Sequence, residues 1–72
     1  MDAYNLVRMA NRIADFFKAM PDCEQAQRDA IEHLRKFWEP RMRQDLLDHL
    51  ASVKNHGLDP FMVQALGKHP ML

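Results

Sequence analysis

Apolar residues recur every three or four positions along this chain, and prolines at 21, 40 and 60 cut that pattern into four stretches. A proline ring removes an amide donor and clashes with the preceding turn, so it cannot continue a helix, yet it suits the first position of a new one. From Asp2 to Met20 the residues Leu6, Met9, Ala10, Ile13, Phe16, Phe17 and Met20 share one stripe, with Arg8, Asn11, Arg12 and Asp15 opposite. That spacing predicts an amphipathic helix. Beyond Pro21, Asp22 and Gln25 read as an N-cap with its capping-box partner, opening a second helix. Its stripe is Cys23, Ala26, Ala30, Ile31, Leu34, Phe37 and Trp38, small at the front and aromatic at the end, so the first helix can approach closely beside the alanines.

Glu39 before Pro40 predicts a sharp corner at residues 38–40, because proline restrains the residue ahead of it to extended geometry. A third helix turns Met42, Leu46, Leu47, Leu50 and Val53 inward and stops near Asn55, with Gly57 supplying a left-handed turn. Asp59 and Pro60 repeat the start signal, and Phe61, Met62, Val63, Ala65 and Leu66 make a short fourth helix before Gly67. The expected fold is all-α: a small bundle of three helices plus a short fourth C-terminal helix. It forms a single domain over residues 1–66, and residues 67–72 are a flexible tail unless something holds them.

A chain of 72 residues buries only roughly 60% of its unfolded surface. Small domains gain stability from disulfides, metals or partners, and a single cysteine excludes an internal disulfide and any cysteine-rich zinc or iron-sulfur site. A binding partner is the remaining route. Ten basic and ten acidic side chains cancel, so no long-range field draws the whole molecule to nucleic acid or anionic lipid. The start MDAYNLVRMANR has no apolar core behind a basic segment, and no apolar run is long enough to span a bilayer. The expectation is a soluble, unexported, cytoplasmic protein with no membrane partner.

Four histidines show neither HxxxH nor HExxH spacing, so no metal site is expected; His33 and His49 lie beside apolar stripes as boundary residues. Cys23, on its stripe beside Ala26, reads as a small buried hydrophobe rather than a nucleophile. There is no glycine-rich phosphate loop, and a few short helices are too small to enclose a water-excluding cleft. No catalytic or cofactor-binding residue is assigned.

The segment HLRKFWEPRMR, residues 33–43, sets Arg35, Lys36, Arg41 and Arg43 around Phe37, Trp38 and Met42. Interface cores favour aromatics, arginine and methionine, and arginine binds carboxylates bidentately. The competing reading is that Phe37 and Trp38 close the bottom of the core while the cations are solvated. Phe37 is expected inward and Trp38 partly outward. The corner's four cations less Glu39 are too few for the many phosphate contacts of nucleic-acid binding.

Three segments, LVRMANRIADFF (6–17), HLRKFWEPRMR (33–43) and GLDP (57–60), in that order, resemble the formate dehydrogenase delta subunit family, over Leu6 to about Leu66. The resemblance implies a non-catalytic subunit of a soluble molybdenum- or tungsten-containing complex that oxidises formate to carbon dioxide and reduces NAD. It places a bis-pterin metal cofactor and iron-sulfur clusters on a large alpha subunit, flavin and further clusters on beta and gamma subunits, and none on the delta chain. One cysteine agrees, since a cluster ordinarily takes four. It further implies docking on the alpha subunit, for its stability or assembly, through Arg35, Lys36, Phe37, Trp38, Pro40, Arg41, Met42 and Arg43. Arg8, Met9 and Asn11 are weaker contact candidates; Arg8 and Asn11 lie on a polar face where folding alone requires neither. The rival from another class is a free-standing helical regulator that binds a protein or nucleic acid through the basic corner. Self-association of the isolated chain stays open.

Overall fold

The computed structural model describes residues 2–72, and three of its four helices begin at an aspartate cap. The side chains of Asp2, Asp22 and Asp59 accept hydrogen bonds from the amides of Tyr4 (3.0 Å), Gln25 (3.2 Å) and Phe61 (2.9 Å), opening α1 (Ala3–Lys18), α2 (Cys23–Phe37) and α4 (Pro60–Lys68). Between them α3 (Pro40–Ser52) starts without a side-chain cap, on a proline whose fixed φ already suits the first turn. Two local expectations shift. Gln25 does not complete a capping box, because its amide donates along the helix to Asp29 at 2.8 Å. The third helix ends at Ser52 rather than near Asn55: the Ser52 hydroxyl donates back to the Asp48 carbonyl at 2.8 Å, and the β-branched Val53 is already extended. Gly57 takes the expected left-handed turn at φ +79°.

The helices enclose one core of Leu6, Ile31, Leu34, Leu46 and Met62, with Ala10, Ala14, Ala26, Ala30 and Ala65 where backbones come close. The broadest contacts are those of α2 with α1 and with α4, and α1 also touches α3 and α4. The short fourth helix is therefore part of the core rather than an appendage. All four elements are helices and no strand occurs among the described residues, so the fold is all-α.

The rotational setting of α1 differs from its sequence stripe. Leu6, Val7, Ala10 and Ala14 are the buried residues, while Phe16 and Met20 face outward. Asn11 explains the rotation: its Nδ2 donates to the Gly57 carbonyl at 3.0 Å, and its Oδ1 accepts from the Asp59 amide at 2.8 Å. A side chain expected to be dispensable for folding thus ties α1 to the turn before α4.

Lys18 adds an ion pair to the same turn, with Nζ 2.6 Å from Asp59 Oδ2. The Lys18 ammonium, assisted by the Phe61 amide, holds the Asp59 carboxyl below its ordinary range against the opposing effect of burial. A depressed carboxyl pKa stabilises the fold above the ordinary value and loses that contribution as pH falls through the folded one. Asp59 raises the Lys18 pKa in turn, a contribution complete below the ordinary lysine value and lost as pH climbs through the folded one. Asp59→Asn keeps the cap acceptor and removes the charge. Its melting temperature should lie below that of the parent at pH 7, and the two should converge as pH falls from the ordinary carboxylate value of about 3.9 through the lower folded one. Parallel acid limbs in thermal melts would show that the pair does not stabilise the fold.

Past residue 66 the chain stays in contact with the domain. Helix α4 runs to Lys68, Met71 is buried, and Arg43 Nη1 donates to the Met71 carbonyl at 2.7 Å, supplying the hold without which residues 67–72 were expected to fray.

Candidate partner-binding surface

At the corner between α2 and α3 the two aromatics are exchanged relative to expectation. Trp38 is 6% exposed and belongs to the core, whereas Phe37 is 70% exposed. The reason lies three turns earlier, at Gln27, a polar residue left off the predicted stripe yet completely buried. Its Nε2 donates to Gln64 Oε1 at 3.2 Å and its Oε1 accepts from Lys68 Nζ at 3.1 Å, so α4 covers this flank of α2. Adding Gln27 to the buried face moves its centre away from Phe37 and towards Trp38. Cys23 is exposed instead of buried because it opens α2, ahead of the first residue that the other helices cover, Ala26.

The other corner residues divide by environment. Met42 packs half-buried against the core, and Arg43 is committed to the Met71 carbonyl. Arg35 is exposed and pairs with Glu32 at 3.2 Å. Lys36, Pro40 and Arg41 are exposed. Glu39, Arg41, Met42 and Asp45 line a depression of about 340 Å³ at the start of α3.

Phe37 turns away from that depression to join a run of rings between α1 and α2. Its ring centroid is 4.7 Å from that of His33; His33 lies 6.0 Å from Phe17, and Phe17 meets Phe16 edge-on at 5.1 Å. Beside these rings is a groove of about 320 Å³, lined by Arg12, Ile13, Phe16, Phe17 and His33. Phe16 is 67% exposed on its rim. Contiguous exposed aromatics of this kind mark interaction sites on small proteins. Sequence reasoning assigned Ile13, Phe16 and Phe17 to the core; the available signal was a stripe on α1 with more large side chains than three short helices can cover.

Polar groups around the groove are unevenly committed. Among the described residues Arg8, Arg12 and Lys36 form no ion pair, whereas Glu32 is paired with Arg35 and Asp15 lies 3.4 Å from Lys18. Glu24, on the far flank of α2, meets Lys68 at 2.8 Å, a bond that lowers the carboxyl pKa and raises that of the ammonium. Of the remaining histidines, His49 packs edge-on against Tyr4 at 4.9 Å, and His56 Nδ1 accepts from the Leu58 amide at 3.0 Å. No group of three histidine, cysteine, aspartate or glutamate side chains gathers among the described residues, and no helix is long and apolar enough to cross a membrane.

Fold and surface together define a small four-helix module that presents an aromatic groove beside a basic corner. Residues 5–66 match the family described as NADH-dependent formate dehydrogenase delta subunit FdsD, and the chain belongs to that family. This match spans the three resembling segments and the helices that join them. No curated protein and no solved structure matches the chain.

Proposed function

We propose that this chain is a non-catalytic accessory subunit that docks on the large catalytic alpha subunit of a cytoplasmic NAD-dependent formate dehydrogenase, stabilising that subunit or assisting its assembly. The observation that carries the reading is Phe37, 70% exposed at the corner and continuous with further exposed rings, in a member of the delta subunit family. Such a surface loses unfavourable hydration on association. Arg35, Lys36, Phe37 and Arg41 are the contact positions; Trp38, Met42 and Arg43 shape the corner from within, and Pro40 sets its turn. A docked subunit stabilises only the state it recognises, by an amount set by its affinity.

The beta and gamma subunits complete the complex, and the other chains hold its bis-pterin molybdenum or tungsten cofactor, iron-sulfur clusters and flavin. Residues here do not fit a cluster, because Cys23 stands alone on the surface and a cluster takes four thiolates.

The test is a pull-down with the tagged chain from its host, with captured proteins identified and the eluate assayed for formate-dependent NAD reduction. Recovery of the large subunit with activity is expected. Phe37→Ala combined with Arg41→Ala should weaken capture while leaving helicity intact, since truncated aromatic and arginine anchors commonly cost about 2 kcal/mol or more each. An eluate without the large subunit, together with a salt-sensitive affinity for nucleic acid, would instead support the free-standing regulator.

A further inference from the structure

We infer that the groove between α1 and α2 seats an acidic amphipathic helix of the large subunit, a step that rests on the docking reading above. The groove walls are apolar, with Arg12 and His33 as their only polar members, and so lack the converging polar groups that orient a small ligand. Two adjoining helices also present the ridges and grooves into which a third helix packs.

Charge identifies the occupant. Arg8 and Arg12 lie one turn apart on the exposed edge of α1, and Lys36 lies one turn beyond His33 on α2. Arg12 lines the groove itself, Arg8 and Lys36 are set beside it and His33 by helical spacing, and none of the three has an ion-pair partner among the described residues. The carboxylates nearby are engaged: Glu32 by Arg35, Asp15 by Lys18, and Asp29 by the Gln25 amide at 2.8 Å. A helix with an apolar ridge and carboxylates on either side of it complements this pattern, the ridge meeting Phe16, Phe17 and Phe37 and the carboxylates meeting the arginines and the lysine. A second copy of the chain does not, because a two-fold contact sets the same patch against itself and brings cation to cation.

The experiment titrates the purified large subunit with the full chain at several salt concentrations, helicity being checked for every variant. Parent affinity should fall with salt. Arg12→Glu with Lys36→Glu should weaken it by roughly tenfold or more and flatten the salt dependence. Phe16→Ser should weaken binding and keep the salt dependence. Arg28→Glu with Lys54→Glu, which reverses two cations away from the groove, should bind like the parent. A photo-crosslinker placed at Phe16 should capture a helical segment of the large subunit that carries aspartate or glutamate beside its apolar ridge.

Equal losses for the two charge reversals would make the attraction a long-range field and overturn the inference. So would parent-like binding by the Phe16 and Arg12/Lys36 variants when Phe37→Ala with Arg41→Ala releases the subunit; docking would then stand without the groove. A basic or neutral crosslinked segment, a dimer of the isolated chain abolished by Phe16→Ser, or tighter binding to anionic vesicles than to the large subunit would each assign the groove to another occupant. Failure of the parent chain to bind the large subunit would remove the docking reading and this inference together.

Discussion

Trp38→Ala is expected to unfold the chain rather than release it from a partner. The indole is almost completely enclosed, in one cluster with Leu34, Leu46 and Met71, at the residue where α2 ends and the chain turns towards α3. Emptying such a site costs about 3–5 kcal/mol, because transfer energy is lost and the cavity collapses only partly. At 0.05–0.15 kcal/mol per residue, a chain of 72 residues has roughly 4–11 kcal/mol in total. One substitution thus removes much or all of the margin. Urea melts followed by circular dichroism should show a collapsed midpoint or no folded baseline, with Trp38→Phe in between. Full helicity combined with lost partner capture would return Trp38 to the interface.

Asn11→Ala should be the most damaging change at a polar side chain of α1, at about 1–2 kcal/mol. The side chain serves two backbone groups of the α3–α4 turn, donating to the Gly57 carbonyl and accepting from the Asp59 amide. Each orphaned group costs about 1–3 kcal/mol where water cannot replace the bond fully. Asn11→Asp separates the two contributions, since a carboxylate still accepts from the Asp59 amide but cannot donate to the Gly57 carbonyl. Chemical denaturation should rank the parent above Asn11→Asp and Asn11→Asp above Asn11→Ala. An alanine variant as stable as the parent would make the bridge incidental.

The helix starts and the left-handed turn were legible in the sequence because each is a matter of local chemistry. A carboxylate reaches an amide two or three residues on, a proline limits its neighbour, and a glycine tolerates positive φ. The rotation of each helix was not legible, because it depends on distant neighbours. Asn11 and Gln27 look like surface residues until the Gly57 turn and α4 arrive to satisfy them. The contacts these two residues make turn Phe16 and Phe37 outward from stripes that periodicity alone assigned to the core. The candidate surface was legible in part for the same reason. Lys36, Phe37 and Arg41 were picked out by the unusual density of cations and rings at the corner. The groove beside Phe16 required knowing which flank of α1 the other helices leave bare. Arg43 illustrates the limit: its partner is a carbonyl 28 residues away, in a segment with no pattern of its own.

The bridge from Asn11 to the turn joins residues 46 and 48 positions apart, and it sets how the chain can fold as well as how it is held. Small helical proteins usually fold fast because most of their contacts are close in sequence. Here a loop of nearly fifty residues must close before the polar faces of α1 and α2 find partners, an entropic cost of about 3 kcal/mol before any contact offsets it. A hairpin of α1 and α2 alone would leave Gln27 and the seat of Met62 open to water. The expected consequence is all-or-none folding, in which the last helix completes the structure by closing it onto the first.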